Sequence, residues 1–200
     1  MKAFALNCTL KPGPEPSSTD RMLAHVAEAL AVHGVTCTGE RVVDHDVKPG
    51  VTHDEGDGDG WPGLCRQVLA AELFVLATPI WLGHAASPAQ RALERLDAFI
   101  TDTDDRGQMR PVDRVAMVAV VGNEDGAHHV GAELFQGLND VGFTLAPGAM
   151  TYWVGEAMGS VDFKDLDEVP EKVAQTTTAM VANAVHLARL LAERPYPSLG

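Results

Sequence analysis

The chain has 200 residues, 28 of them acidic and 15 basic, for a formal charge of −13. Hydrophobic residues make up 46% and charged residues 22%, enough for a sizeable core and, at this length, one domain. The acidic balance argues against a nucleic-acid or anionic-membrane partner, because both need a basic face. Cys8, Cys37 and Cys65 are odd in number, far apart and without a C-x-x-C pair, which argues against a disulfide framework, a zinc knuckle or an iron–sulfur site. No apolar run is long enough for a signal peptide or a bilayer span, so the expected setting is cytoplasmic.

Ala3–Leu6 is a short apolar run that predicts a first strand, ended by Asn7-Cys8-Thr9. From Ser18 to His33 the apolar positions Met22, Leu23, Val26, Ala27, Leu30 and Ala31 follow helical spacing, and Gly34 stops the pattern. Val35–Val43 reads as a second strand. Residues 44–60 are rich in Asp, Gly and His and read as a solvated, mobile acidic loop, bounded at residue 62 by the Trp61-Pro62 pair. A calcium-loop reading of it fails because the twelfth position counted from Glu55 is Arg66. Leu64–Ala71 predicts a short helix and Leu73–Ala77 a fully buried strand.

Ser87-Pro88 opens the next helix, with Ser as a cap and Pro at a position that loses no needed N–H; the helix runs to about Ile100. Val115–Val121 is the most strand-like segment. Ala127–Val141 is helical, with Gly142 as its stop. Phe143–Ala146 and Thr151–Val154 together suggest a fifth, interrupted strand. A long amphipathic helix from Val169 to Glu193 closes the chain before a tail at 195–200. Strands alternating with helices imply α/β architecture: a doubly wound, five-stranded parallel sheet in a single domain. Ligands in such sheets bind at the carboxyl ends of the strands, which directs attention to the loops after strands one, three and four.

The first of these loops offers the hydroxyls of Thr9, Ser17, Ser18 and Thr19 and the cation of Lys11 in front of a helix start, a ready anion site. Ser17 and Asp20 also match a capping box, so a plain polar loop remains the alternative. Walker A and G-x-G-x-x-G patterns are absent. In the second loop, Pro79, Ile80, Trp81, Leu82 and Gly83 follow a buried strand with an exposed apolar stretch suited to the wall of a flat ligand. The third supplies Gly122, Asn123 and Gly126. His128 and His129 are adjacent and so point apart on a helix, which does not support a metal pair; surface or interface histidines are the expectation. The nucleophile elbow G-x-S-x-G is missing, leaving hydrolase chemistry without support.

Taken together, Thr78-Pro-Ile-Trp-Leu-Gly83 with the helix behind it, and Asn7-Cys-Thr-Leu-Lys11 with Ser17-Ser-Thr19, resemble the flavodoxin-like NAD(P)H-dependent FMN reductases over nearly the whole chain. The resemblance implies sheet order 2-1-3-4-5. It sets Thr9, Lys11, Ser17, Ser18 and Thr19 around an FMN phosphate. Pro79, Ile80, Trp81, Leu82 and Gly83 would lie along the isoalloxazine ring and ribityl chain, with Gly122, Asn123 and Gly126 at the ring's polar edge. Trp81 stands where the family often has Tyr, and Tyr152 or Trp153 would reach the site or a neighbouring subunit. The implied activity passes a hydride from NAD(P)H through FMN to a small acceptor such as a quinone or free flavin, with no protein acid or base required. A homodimer or higher homo-oligomer is implied as well. An electron-transfer flavodoxin and a flavin-free flavodoxin-like binding domain are the competing readings.

Overall fold

Strand β1 (Lys2–Asn7) lies inside a parallel sheet, between the edge strand β2 (Thr36–Arg41) and the central strand β3 (Leu73–Trp81). The structure, a computed structural model, describes residues 1–199; Gly200, the last residue of the expected tail, lies outside them. Strands β5 (Val115–Gly122) and β6 (Thr144–Val154) extend the sheet beyond β3, giving the order β2-β1-β3-β5-β6. This is the expected 2-1-3-4-5 order. The numbering shifts because a two-residue strand, β4 (His84–Ala85), folds back antiparallel on the end of β3, pairing with Ile80 and Trp81.

Successive strand residues point to opposite faces, and the two faces carry different helices. Phe4, Leu6, Phe74, Leu76, Val118 and Val120 pack under α2 (Trp61–Ala70), α3 (Ser87–Leu96) and α4 (Ala127–Asp140). Ala3, Ala5, Val75, Ala77, Met117 and Ala119 face α1 (Ser18–Val32) and α5 (Glu171–Glu193). The small residues of that second face leave room for Met22, Val26 and Leu30 of α1 to sit directly on the sheet.

Several boundaries move from the sequence reading. Helix α2 begins at Trp61, with Pro62 in its first turn. Ser87 is the first residue of α3 and does not cap it: Ala86 holds the cap position without a side-chain bond. The α-helix ends at Leu96 and passes into a 3-10 turn at Asp97–Ile100. The two halves of the interrupted strand form one strand, β6. Ala116 pairs with Leu145 but Val118 with Met150, so the chain around Pro147-Gly148 bulges out.

The acidic loop is tied down rather than simply solvated. Asp59 and Arg95 form a fully buried ion pair at 2.7 Å. Arg95 also donates to the carbonyls of Thr52 and Lys48, both at 3.0 Å, and lies over the buried Trp61 ring. Asp59 in turn accepts from the backbone N–H groups of Lys48, Glu55 and Trp61. Burial opposes charge on Asp59, yet these donors hold its carboxyl well below the usual range. The tail is docked too: Tyr196 N–H donates to Asp113 and Leu199 N–H to the Arg106 carbonyl.

Candidate functional site

The carboxyl ends of β1, β3, β5 and β6 converge on a cleft of about 550 Å³, within the size range of small-molecule sites. One end is polar. Helix α1 starts there behind Thr9, Leu10, Lys11, Ser17, Ser18 and Thr19. Its first-turn N–H groups have no partner earlier in the helix, and they carry the positive end of its dipole. The expected capping box is formed: the Ser17 hydroxyl accepts from Asp20 N–H, and the Ser17 N–H donates to the Asp20 carboxylate. The Ser17 hydroxyl also donates to that carboxylate at 2.9 Å, so Ser17 lines the cleft with its hydrogen-bonding capacity committed to the cap.

This polar loop is braced by a residue the sequence reading did not single out. Arg41, at the end of β2, pairs with the Asp20 carboxylate and donates to the carbonyls of Lys11 at 3.0 Å and Glu15 at 2.8 Å. Asn7 donates from Nδ2 to Asp20 at 2.6 Å. Asp20 is thereby neutralised beside a site suited to an anion. Cys8 lies beneath the loop, fully buried, and burial pushes its thiol far above the ordinary value; it is not a thiolate nucleophile.

The other end is apolar and flat-walled. Pro79, Ile80, Trp81 and Leu82 form one side; Val121, Gly122, Asn123 and Glu124 the other; Trp153 and Met158 close it. A Cβ on Gly122 would stand 2.9 Å from the Ile80 Cβ, so glycine there lets the two strand ends approach. Trp81, Leu82 and Met158 are 55%, 89% and 98% exposed. Leu82 and Met158 hold left-handed backbone, φ 52° and 61°, unusual for bulky residues and frequent at functional loops. Leu82 N–H donates to the Glu124 carboxylate at 2.7 Å, linking the two walls.

Asn123 is half-committed. Its Nδ2 donates to Asp162 at 3.0 Å, while its buried Oδ1 has no partner among the described residues. Asp162 lines the cleft beside Met158 and was not among the expected site residues; the segment that follows it, residues 163–166, packs behind the cleft. Arg21 pins this segment to α1 by donating to the carbonyls of Phe163 and Lys164, and Lys164 N–H donates to the Ser18 hydroxyl.

Eleven of the thirteen expected site residues thus line one cleft. Gly83 and Gly126 do not. They pack on each other instead, both with positive φ, and a Cβ on Gly126 would fall 2.8 Å from the Gly83 carbonyl oxygen. Their role is to let the β3–β4 hairpin sit against the start of α4. Trp153 reaches the cleft, whereas Tyr152 turns away and bonds His128 at 3.1 Å. None of the acidic loop lines the cleft.

Comparison with known proteins agrees with this geometry. Residues 1–158 match the family model described as NADPH-dependent FMN reductase. The chain is 32% identical over 206 residues to 8-demethyl-8-aminoriboflavin-5'-phosphate synthase of Streptomyces davaonensis, covering 98% of this chain and 80% of that protein. It is 35% identical over 198 residues to a Mycobacterium bovis protein named divalent metal cation transporter MntH, but spans only 29% of that protein's length. Among solved structures, RosB with bound 8-demethyl-8-formylriboflavin-5'-phosphate superposes with a TM-score of 0.88 at 32% identity, covering 98% of this chain and 82% of that one. An archaeal flavodoxin superposes at 0.61 with 8% identity over 94% of this chain and 99% of that one, which speaks for the fold alone. Among the described residues no helix is long and apolar enough to cross a membrane. With a flavodoxin-like fold, a cleft at its strand ends and matched sequence over most of its length, the chain belongs to the NADPH-dependent FMN reductase family, whose cofactors are FMN and a nicotinamide nucleotide.

Proposed function

We propose that this protein is an FMN-dependent oxidoreductase that passes a hydride from NAD(P)H, by way of FMN, to a small acceptor such as a quinone or free flavin. The observation that carries the reading is one cleft joining a helix N-terminus and a lysine at one end to flat apolar walls at the other. FMN has matching parts, a dianionic phosphate and a planar ring. Bound there, FMN supplies the redox chemistry by taking up a hydride and releasing its electrons onward.

The chain's own residues bind and orient. In this reading Lys11, the Thr9, Ser18 and Thr19 hydroxyls and the first N–H groups of α1 hold the phosphate. Ser17 supports them by fixing the helix start. Pro79, Ile80, Trp81 and Leu82 exclude water from one side of the ring, and Gly122 allows close approach from the other. The unpartnered Asn123 Oδ1 suits the ring's N–H group, since an acceptor buried without a donor costs about 1–3 kcal/mol. Gly83 and Gly126 act at one remove, by setting the hairpin that carries Trp81. The exposed Trp81, Leu82 and Met158 at the mouth favour cover by the nicotinamide ring or by a second copy of the chain, in keeping with a homodimer.

The full-length similarity to a riboflavin-phosphate-modifying synthase supports a second reading, in which a flavin phosphate is the substrate altered in this cleft rather than a recycled cofactor. The visible spectrum of the purified protein, followed by anaerobic addition of NADH and then NADPH, separates the two. The reductase reading expects a flavin spectrum that bleaches with a nucleotide and returns, chemically unchanged, on adding a quinone. Bound flavin that neither nucleotide bleaches would overturn it in favour of a shuttle or a flavin-modifying role. A colourless protein that takes up no FMN would leave only the fold.

A further inference from the structure

At the edge of the β3–β4 hairpin, outside the cleft lining, three side chains converge. His84 Nδ1 from β4 lies 3.3 Å from His129 Nε2 of α4. Glu133 Oε1, one turn further along α4, lies 3.2 Å from His129 Nε2 and 3.5 Å from His84 Nδ1. The three donor atoms form a nearly equilateral triangle. Four ligands held tetrahedrally at zinc–nitrogen and zinc–oxygen distances stand about 3.3–3.4 Å from one another, and the three edges observed match that separation.

Hydrogen bonding alone does not account for the triangle. A ring nitrogen carries at most one hydrogen and a carboxylate none, so two nitrogens supply hydrogens for at most two of the three edges. The remaining edge then brings lone pairs or hydrogens together, which a cation at the centre resolves. His129 and Glu133 stand at i and i+4, the spacing that sets two ligands on one helix face. His84 arrives from a different element, fixed by the Trp81–His84 pairing and by the Gly83–Gly126 contact. His128, the neighbour of His129, faces Tyr152 and takes no part.

We infer that His84 Nδ1, His129 Nε2 and Glu133 Oε1 form a three-ligand site for a zinc-class divalent cation, with a fourth position open to solvent. The donor set of two imidazoles and one carboxylate favours Zn²⁺ or Co²⁺ over Mg²⁺ and Ca²⁺, which prefer all-oxygen shells. All three side chains are exposed, so the cation enters from bulk water without opening the fold. Its structural effect is to tie the hairpin that carries Trp81 to the start of α4.

The test is titration of the tag-free full chain, stripped with chelator, with Zn²⁺ alone by calorimetry, beside His84→Ala, His129→Ala and His128→Ala. One Zn²⁺ per chain is expected, weakened more than about a hundredfold in His84→Ala and in His129→Ala and unchanged in His128→Ala. Co²⁺ added to the wild-type chain is expected to give the intense visible bands of a tetrahedral site. No saturable Zn²⁺ binding, loss in His129→Ala without loss in His84→Ala, half a Zn²⁺ per chain, or the pale spectrum of octahedral Co²⁺ would each overturn the site.

Discussion

Lys11 and Arg41 carry the same charge and do different work. Arg41 is spent inside the loop, on Asp20 and two carbonyls, whereas the Lys11 ammonium reaches the Pro16 carbonyl at 3.2 Å and Glu15 at 3.6 Å from a partly exposed position. Under the proposed function Lys11 is therefore the cation that an FMN phosphate meets. Lys11→Ala is expected to weaken FMN binding about tenfold, roughly 1.5 kcal/mol for a charge-assisted hydrogen bond, and to leave riboflavin binding unchanged. Quenching of flavin fluorescence measures both. Equal losses for the two ligands would show that Lys11 shapes the loop instead. Polarity and order along the chain singled out Lys11 as a candidate, and it lines the cleft. Arg41 was hidden because its job depends on β2 lying beside β1, which no local pattern announces.

At the scale of elements, the acidic loop shows how far composition misleads. Its Asp and Gly content reads as solvated chain, yet Asp59 and Arg95, 36 residues apart, meet with no exposure at all. Asp59→Asn leaves the Arg95 charge uncompensated and is expected to destabilise the fold by about 3–5 kcal/mol. The pH dependence follows from the lowered folded-state value of Asp59. Its contribution is complete above the unfolded carboxylate's value of about 4 and is lost as pH falls toward the folded one. Urea unfolding is therefore expected to separate wild type from Asp59→Asn widely at about pH 6 and less at about pH 3. A constant gap would mean that the loss is one of packing.

The same scale explains which boundaries were readable. The start of α1 was legible because its cap is local, Ser17 to Asp20. The hairpin at His84–Ala85 was not, because two residues carry no periodicity, and its position depends on Gly83 meeting Gly126 across the sheet. The interruption of β6 showed in the sequence as Pro147-Gly148, and the shifted pairing with β5 is its structural form.

For the whole molecule, the cleft sits where a doubly wound sheet leaves its strand ends uncovered, and its walls come from segments far apart in sequence, 9–19, 79–82, 121–124 and 153–162. A ligand filling it bridges them all, so binding is coupled to global stability. At a hundred times its dissociation constant FMN adds about 2.7 kcal/mol, and for a domain of this size the melting temperature is expected to rise by about 5–10 °C. Thermal unfolding with FMN and with riboflavin checks this, and no rise with FMN would count against the cleft as its site.

The strand order entered with the resemblance to the flavin reductases, whereas the sequence by itself determined the α/β class and most of the cleft. Those follow from local hydrophobic periodicity, from the rule that ligands bind at strand ends, and from motifs confined to single loops. Only the tertiary structure decided that Arg41 braces the loop after β1, that Gly83 and Gly126 serve each other, that Met158 and Asp162 join the cleft, and that His84 stands beside His129 and Glu133. Each of these is a contact between residues that the packing of separate elements brings together, and such contacts leave no spacing in the chain to read.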